Sequence, residues 1–149
     1  MKFIVAFIFL AFSSTLVIAQ EGKLLNGMII SEDLKGLPYI RICNTDTTVL
    51  SHTDSNGRFS FTIPEQTTEL LLCGMYAGVE WTRIKVRDSC ARLEVIMMNE
   101  WIYDFMSARK INRKRFRRFK RLSQIHQEAF DQKIFQSREP CVVYIFEAH

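Results

Sequence analysis

Three donor side chains, His52, Asp54 and Asn56, stand at alternate positions in the stretch HTDSNGRFSFTIP, just ahead of Gly57. A calcium loop of the EF-hand kind needs oxygen donors at its first, third and fifth positions, a glycine at the sixth and a bidentate glutamate at the twelfth. With Gly57 as the sixth position, a histidine takes the first and Ile63 the twelfth, so two anchors fail. The same residues suit a turn better. Asp54 and Asn56 can bond their own backbone, Gly57 takes positive φ at little cost, and Phe59, Phe61 and Ile63 then share one face of a strand. The expectation is a β-hairpin joining TTVLSHT to RFSFTI.

Other reactive groups are scattered. His126 and Glu128 are two apart, whereas ligand or acid/base pairs on a helix face need three or four. Glu100 and Asp104 have the right interval, but nothing marks a cleft that would separate their pKa values, so they are read as solvated or paired with arginines. Neither a zinc-protease motif nor G-x-S-x-G occurs, and no cysteine pair or histidine has metal-site spacing. No catalytic residue, cofactor or metal is assigned. Trp81 and Trp101 are the candidates for a sugar-stacking platform, though tryptophan is more often packed inward.

The densest feature is ARKINRKRFRRFKR, residues 108–121, with nine cations in fourteen positions and two interleaved phenylalanines. Such a run suits phosphate-bearing surfaces, namely anionic lipid or lipopolysaccharide, through Arg113, Lys114, Arg117, Arg118 and Arg121. The competing reading is a helix packed by its apolar stripe, its cations solvated or facing an acidic partner within the chain. Such a partner exists: residues 20–100 hold eight Lys/Arg against eleven Asp/Glu, and residues 101–149 eleven against five.

The elements that must position these groups follow from periodicity. Residues 1–19, MKFIVAFIFLAFSSTLVIA, have a lysine, an apolar run and a small residue at the end, and read as a signal peptide. No later run approaches the roughly 20 apolar residues of a membrane span. From 20 to 100 the chain reads as seven short strands: LLNGMIIS, LPYIRICN, TTVLSHT, RFSFTI, ELLLC, VEWTRIKVR and RLEVIMM. Turn signals part them, the signature of a β-sandwich, with Ile40, Ile42, Phe59, Phe61, Leu93 and Val95 in its core. In VEWTRIKVR, Trp81 and Ile84 fall on opposite faces, so one is exposed or a bulge intervenes. Residues 101–149 read as a basic extension: two amphipathic α-helices, capped by Ser107 and Ser123 and reaching about Arg121 and Phe135, then a short strand in Val142–Phe146. Ile111, Phe119, Ile125 and Phe130 would dock the helices on the sandwich.

Export would place Cys43, Cys73, Cys90 and Cys141 in an oxidising compartment. Four cysteines allow three full pairings, and spacing does not choose among them. Position favours Cys90 with Cys141, since Cys90 precedes the seventh strand and Cys141 follows Pro140 where the tail turns back.

Gly27 within the first strand, the Gly36-Leu37-Pro38 bend, and Thr53, Asp54, Gly57, Phe59 and Phe61 together resemble the carboxypeptidase regulatory-like domain. The resemblance spans about 22–98 and implies a prealbumin-like or immunoglobulin-like sandwich, hence a mainly β fold. CGMYAGVE departs from the family's pattern, in which an aromatic precedes a Gly-Tyr pair. In that family the domain accompanies enzymes and nutrient receptors without holding catalytic machinery. The expectation is a non-catalytic, exported accessory protein of the bacterial envelope, periplasmic or extracellular and at most associated with the outer membrane. Its partner would be a protein or another envelope component, with nucleic acid disfavoured. A carbohydrate-binding module, an anionic-surface binder and, last, a small hydrolase using His126 and Glu128 are the alternatives.

Overall fold

Alternation of apolar and polar side chains sets the first part of the chain into strands, and the computed structural model, which describes residues 22–75 and 78–148, shows how they combine. The leader read at 1–19 lies outside the described residues. Seven strands run in order: β1 (Gly22–Ser31), β2 (Arg41–Cys43), β3 (Val49–His52), β4 (Arg58–Pro64), β5 (Glu69–Cys73), β6 (Thr82–Val86) and β7 (Arg92–Met97). Helical segments α1 (Ala108–Phe119) and α2 (Leu122–Asp131) and a last strand, β8 (Val142–Ile145), follow. The strands form two sheets, ordered β4-β1-β7 and β3-β2-β5-β6-β8. β1 is antiparallel to β4 and parallel to β7.

One apolar cluster joins the two sheets. β1, β4 and β7 contribute Leu25, Ile29, Phe59, Ile63, Leu93 and Val95; the other sheet contributes Ile42, Leu70, Leu72, Ile84 and Val142. Of the six residues expected in the core, five are buried; Phe61 is only half-buried and packs at the cluster's margin. Trp81, not Ile84, is the exposed member of its segment. Gly27 lies opposite Leu93, where a Cβ would stand 1.8 Å from the Leu93 carbonyl oxygen, so the parallel pair needs glycine there.

The TDSNG turn corrects the hairpin expectation. β3 pairs with β2 and β4 with β1, so the turn carries the chain from one sheet to the other. The Thr53 hydroxyl holds the chain before the turn, donating to Leu37 O at 2.7 Å and accepting from Ile40 N–H at 2.8 Å. The Asp54 carboxylate accepts from the backbone N–H groups of Asn56 and Arg58, each at 2.8 Å. One oxygen, Oδ1, accepts both bonds. Gly57 at φ 79° then lets the turn approach the Gly36 bend.

The two helices expected between 107 and 135 are one element. α1 and α2 are two pieces of one bent helix, because Lys120 and Arg121 keep right-handed dihedrals through the junction (φ −64°, ψ −20° and φ −84°, ψ −9°). Ser123, expected as a cap, lies inside α2, and neither segment has a side-chain cap bond. The bend lets α2 cover the outer face of β1 and β7, where Leu122, Ile125, Ala129 and Phe135 pack on Ile30, Ile96 and Met98. Ile125 is buried, while Ile111, Phe119 and Phe130 are half-buried. β7 is therefore covered on both faces, and Glu94, pointing to the helix side, is buried with them. Its carboxylate accepts from Gln136 N–H at 2.6 Å, Ser137 N–H at 2.9 Å and Arg92 Nε at 3.0 Å, fixing the chain beyond α2.

The tail then returns to the second sheet, where β8 pairs antiparallel with β6 and the Cys90–Cys141 disulfide closes a separation of 51 residues. Cys43 and Cys73 are reduced and buried with Leu71 in a separate small cluster. Burial and the neighbouring Cys43 thiol push the Cys73 thiol up to about 11.

Candidate functional site

α1 starts where Ser107 O accepts from the N–H groups of Lys110 and Ile111 at 2.9 and 3.0 Å. Its inward line is Ile111, Arg115, Arg118 and Leu122, spaced by four, three and four, the interval that keeps side chains on one helical face. Two arginines on that line cannot be buried unpaired, and two glutamates of the β part meet them. Arg115 donates from Nη2 to Glu80 at 2.7 Å, from Nε to the same carboxylate at 2.9 Å, and from Nη1 to Glu147 O at 2.9 Å. Arg118 donates to both oxygens of Glu32 and, at 2.6 Å, to Asn99 O, while its Nη1 lies 3.6 Å from Glu80.

Burial alone would push the Arg118 guanidinium down. Hydrogen bonds to Glu32 and Tyr103, with the charge of Glu32, outweigh burial and hold it above the ordinary arginine value. Arg118 is thus corrected: it faces inward, buried, and is not part of an outward anionic-binding set. Its guanidinium also stacks 4.3 Å from the centre of the Trp101 ring. Arg115, which composition does not single out, has the same inward role.

The remaining cations of α1 and the bend, Arg109, Lys110, Arg113, Lys114, Arg117, Lys120 and Arg121, are all exposed. Of the five residues expected to form an anionic-binding face, Arg113, Lys114, Arg117 and Arg121 are exposed. Among the described residues none of these seven forms an ion pair with a carboxylate. Lys120 lies 5.2 Å over the Phe116 ring at the border of this face. The arrangement is chemically simple: a ridge of fixed positive charge, its inner neighbours neutralised by Glu32 and Glu80, open to phosphate or carboxylate groups.

The other candidates separate. His126 is fully buried, its Nε2 2.9 Å from Ser137 O and its ring against Phe135, whereas Glu128 is exposed and bonded to Gln124. No acid/base pair results. Burial pushes the His126 imidazole below its ordinary value, against the opposing effects of the Ser137 carbonyl and the Glu94 charge. Glu100 and Asp104 are exposed. Trp81 borders a cleft of about 460 Å³ with Glu80, Arg115, Phe119, Tyr144 and Phe146, and Trp101 stands outside that lining. Among the described residues, no three His, Cys, Asp or Glu side chains gather as a metal site, and no helix is long and apolar enough to cross a membrane.

No protein-family model and no curated protein matches the chain. Glu32, Glu80 and Glu94 escaped the sequence reading because their partners Arg118, Arg115 and the backbone at 136–137 lie far along the chain; the inward spacing of Arg115 and Arg118 between Ile111 and Leu122 was the available signal.

Proposed function

We propose that this chain is a non-catalytic, exported accessory protein of the cell envelope that attaches to an anionic surface through the outer face of α1. The observation that carries the reading is the sorting of the basic run: Arg115 and Arg118 are consumed by largely buried carboxylates, while seven neighbouring cations remain exposed. A merely structural basic helix would need only the inward pair. Export is supported by the Cys90–Cys141 disulfide and by the leader pattern at 1–19. A carboxypeptidase regulatory-like sandwich is the family reading proposed for residues 20–100, supported by two sheets around one core and by the tight packing of Gly27, Gly36 and Gly57.

Each exposed cation close to an anionic membrane is worth about 1 kcal/mol, lost as salt rises. Co-sedimentation with vesicles of phosphatidylglycerol and phosphatidylcholine should show binding that weakens with salt. Replacing Arg113, Lys114, Arg117 and Arg121 together by Gln should weaken it sharply, since only Arg109, Lys110 and Lys120 of the exposed run remain, and should leave the melting temperature unchanged. Absence of wild-type sedimentation at low salt would overturn the reading. A carbohydrate-binding role has one observation in its favour, exposed Trp81 at the rim of the 460 Å³ cleft, and a glycan array tests it.

A further inference from the structure

We infer that the segment Trp101–Met106 inserts aromatic and apolar side chains into the interface of an anionic lipid bilayer while α1 lies along its phosphates. This rests on the anionic-surface reading and narrows it to one kind of surface. In WIYDFM, Ile102 is 88% exposed, Phe105 108% and Trp101 55%. Phe105 also holds φ at 56°, a backbone region that a residue with a bulky side chain seldom occupies. A phenylalanine kept in that conformation and wholly in water gains nothing from the fold. Isolated exposed apolar residues are ordinary, but three large ones within five positions make a patch that suits a partner.

The patch adjoins the basic ridge. The Trp101 ring stacks on Arg118, and Lys114 and Arg121 lie four residues before and three after Arg118, so they border the same flank of the helix. Asp104 and Glu100 are exposed carboxylates in or beside the segment, outnumbered by the seven exposed cations of α1 and the bend. A soluble polyanion would satisfy those cations and leave Ile102 and Phe105 wet. An anionic bilayer offers both layers at once, phosphates at the headgroups and an apolar region within about 5–10 Å of them. Trp101 and Tyr103 are of the two residue types that favour that boundary.

The test uses the whole chain and the same phosphatidylglycerol and phosphatidylcholine vesicles. In a Trp81→Phe variant, Trp101 is the sole tryptophan. Its emission should shift to the blue on vesicle addition and be quenched by lipids brominated in the acyl chains. An Ile102→Ser/Phe105→Ser variant should keep its fold and its low-salt sedimentation but bind at least about tenfold more weakly at physiological salt, where the apolar contribution dominates. Low-salt binding without quenching, together with physiological-salt binding unchanged by the two serines, would overturn insertion and leave the anionic-surface reading standing. Loss of all low-salt binding by the wild type would remove both. Self-association of the wild type that the serines abolish, with no quenching, would assign the patch to a second copy of this chain and also overturn the inference.

Discussion

The Tyr144 phenol accepts a 2.8 Å hydrogen bond from the backbone N–H of Ile96, so a side chain of the edge strand β8 in one sheet satisfies an edge amide of β7 in the other. Burial pushes the phenol's pKa up, against the opposing effect of that amide, and keeps it protonated over the working pH range. Tyr144→Phe preserves the ring's T-shaped contact with Phe119 but leaves the amide without its acceptor. A buried donor so orphaned costs about 1–3 kcal/mol. Urea unfolding of the two proteins should show that loss, with an unchanged slope.

Arg118→Leu should be far more damaging than Arg117→Gln one residue earlier. The first leaves Glu32 largely buried without its partner, a loss of about 3–5 kcal/mol; the second removes an exposed cation and should leave the melting temperature within experimental error. Adding Glu32→Gln to Arg118→Leu should recover part of the loss. Equal melting temperatures for the two single variants would contradict the inward placement of Arg118.

His126 gives the fold a definite acid sensitivity. Its folded pKa is depressed below 6.5 by burial, so below that pH the unfolded chain binds a proton that the folded one refuses. Stability is full above pH 6.5 and declines as pH falls from there through the lower folded pKa. The neutral ring donates from Nε2 to Ser137 O, and Nδ1 has no hydrogen-bond partner among the described residues. His126→Gln should remove this dependence from denaturation midpoints measured across pH 4–7, whatever it does to stability at pH 7.

Cys90→Ser/Cys141→Ser should lower stability by about 2–4 kcal/mol, because the bond restricts a loop of about fifty residues in the unfolded chain. In the native wild type, a thiol reagent should find Cys43 and Cys73 slow to react, both being buried, and Cys73 slowest because its pKa of about 11 keeps little thiolate at neutral pH. Denaturant should release two thiols per chain. Four would contradict the pairing.

The strands were legible because alternation and turn chemistry are local. Their division between sheets was not: TDSNG has the composition of a hairpin turn, and only the contacts of Thr53 with the distant bend at 37–40 show that the strands on either side part company. The Cys90–Cys141 pairing was readable from where the two residues fall relative to strands. Net charge identified the basic helix but treated its cations as equivalent, which placed Arg118 with Arg117. What separates them is one step of about 100° around the axis, enough to turn one arginine to Glu32 and leave the other in water. The burial of Glu94 was beyond reach, since its partners are backbone amides forty residues away.

β1 lies between β4 and β7, the second of these in parallel, and α2 rests on its outer face. Every neighbour that completes it is encoded downstream. A chain emerging amino end first can pair this strand with β4 once residue 64 is out, but must carry it with one edge open until residue 97 is out and with one face bare until α2 has formed. Non-local pairing of this kind is slow because loop closure precedes any reward. During that interval Leu25, Ile29 and Ile30 are the segment that a holding chaperone would grip, and release would coincide with arrival of β7, not with completion of the first turn.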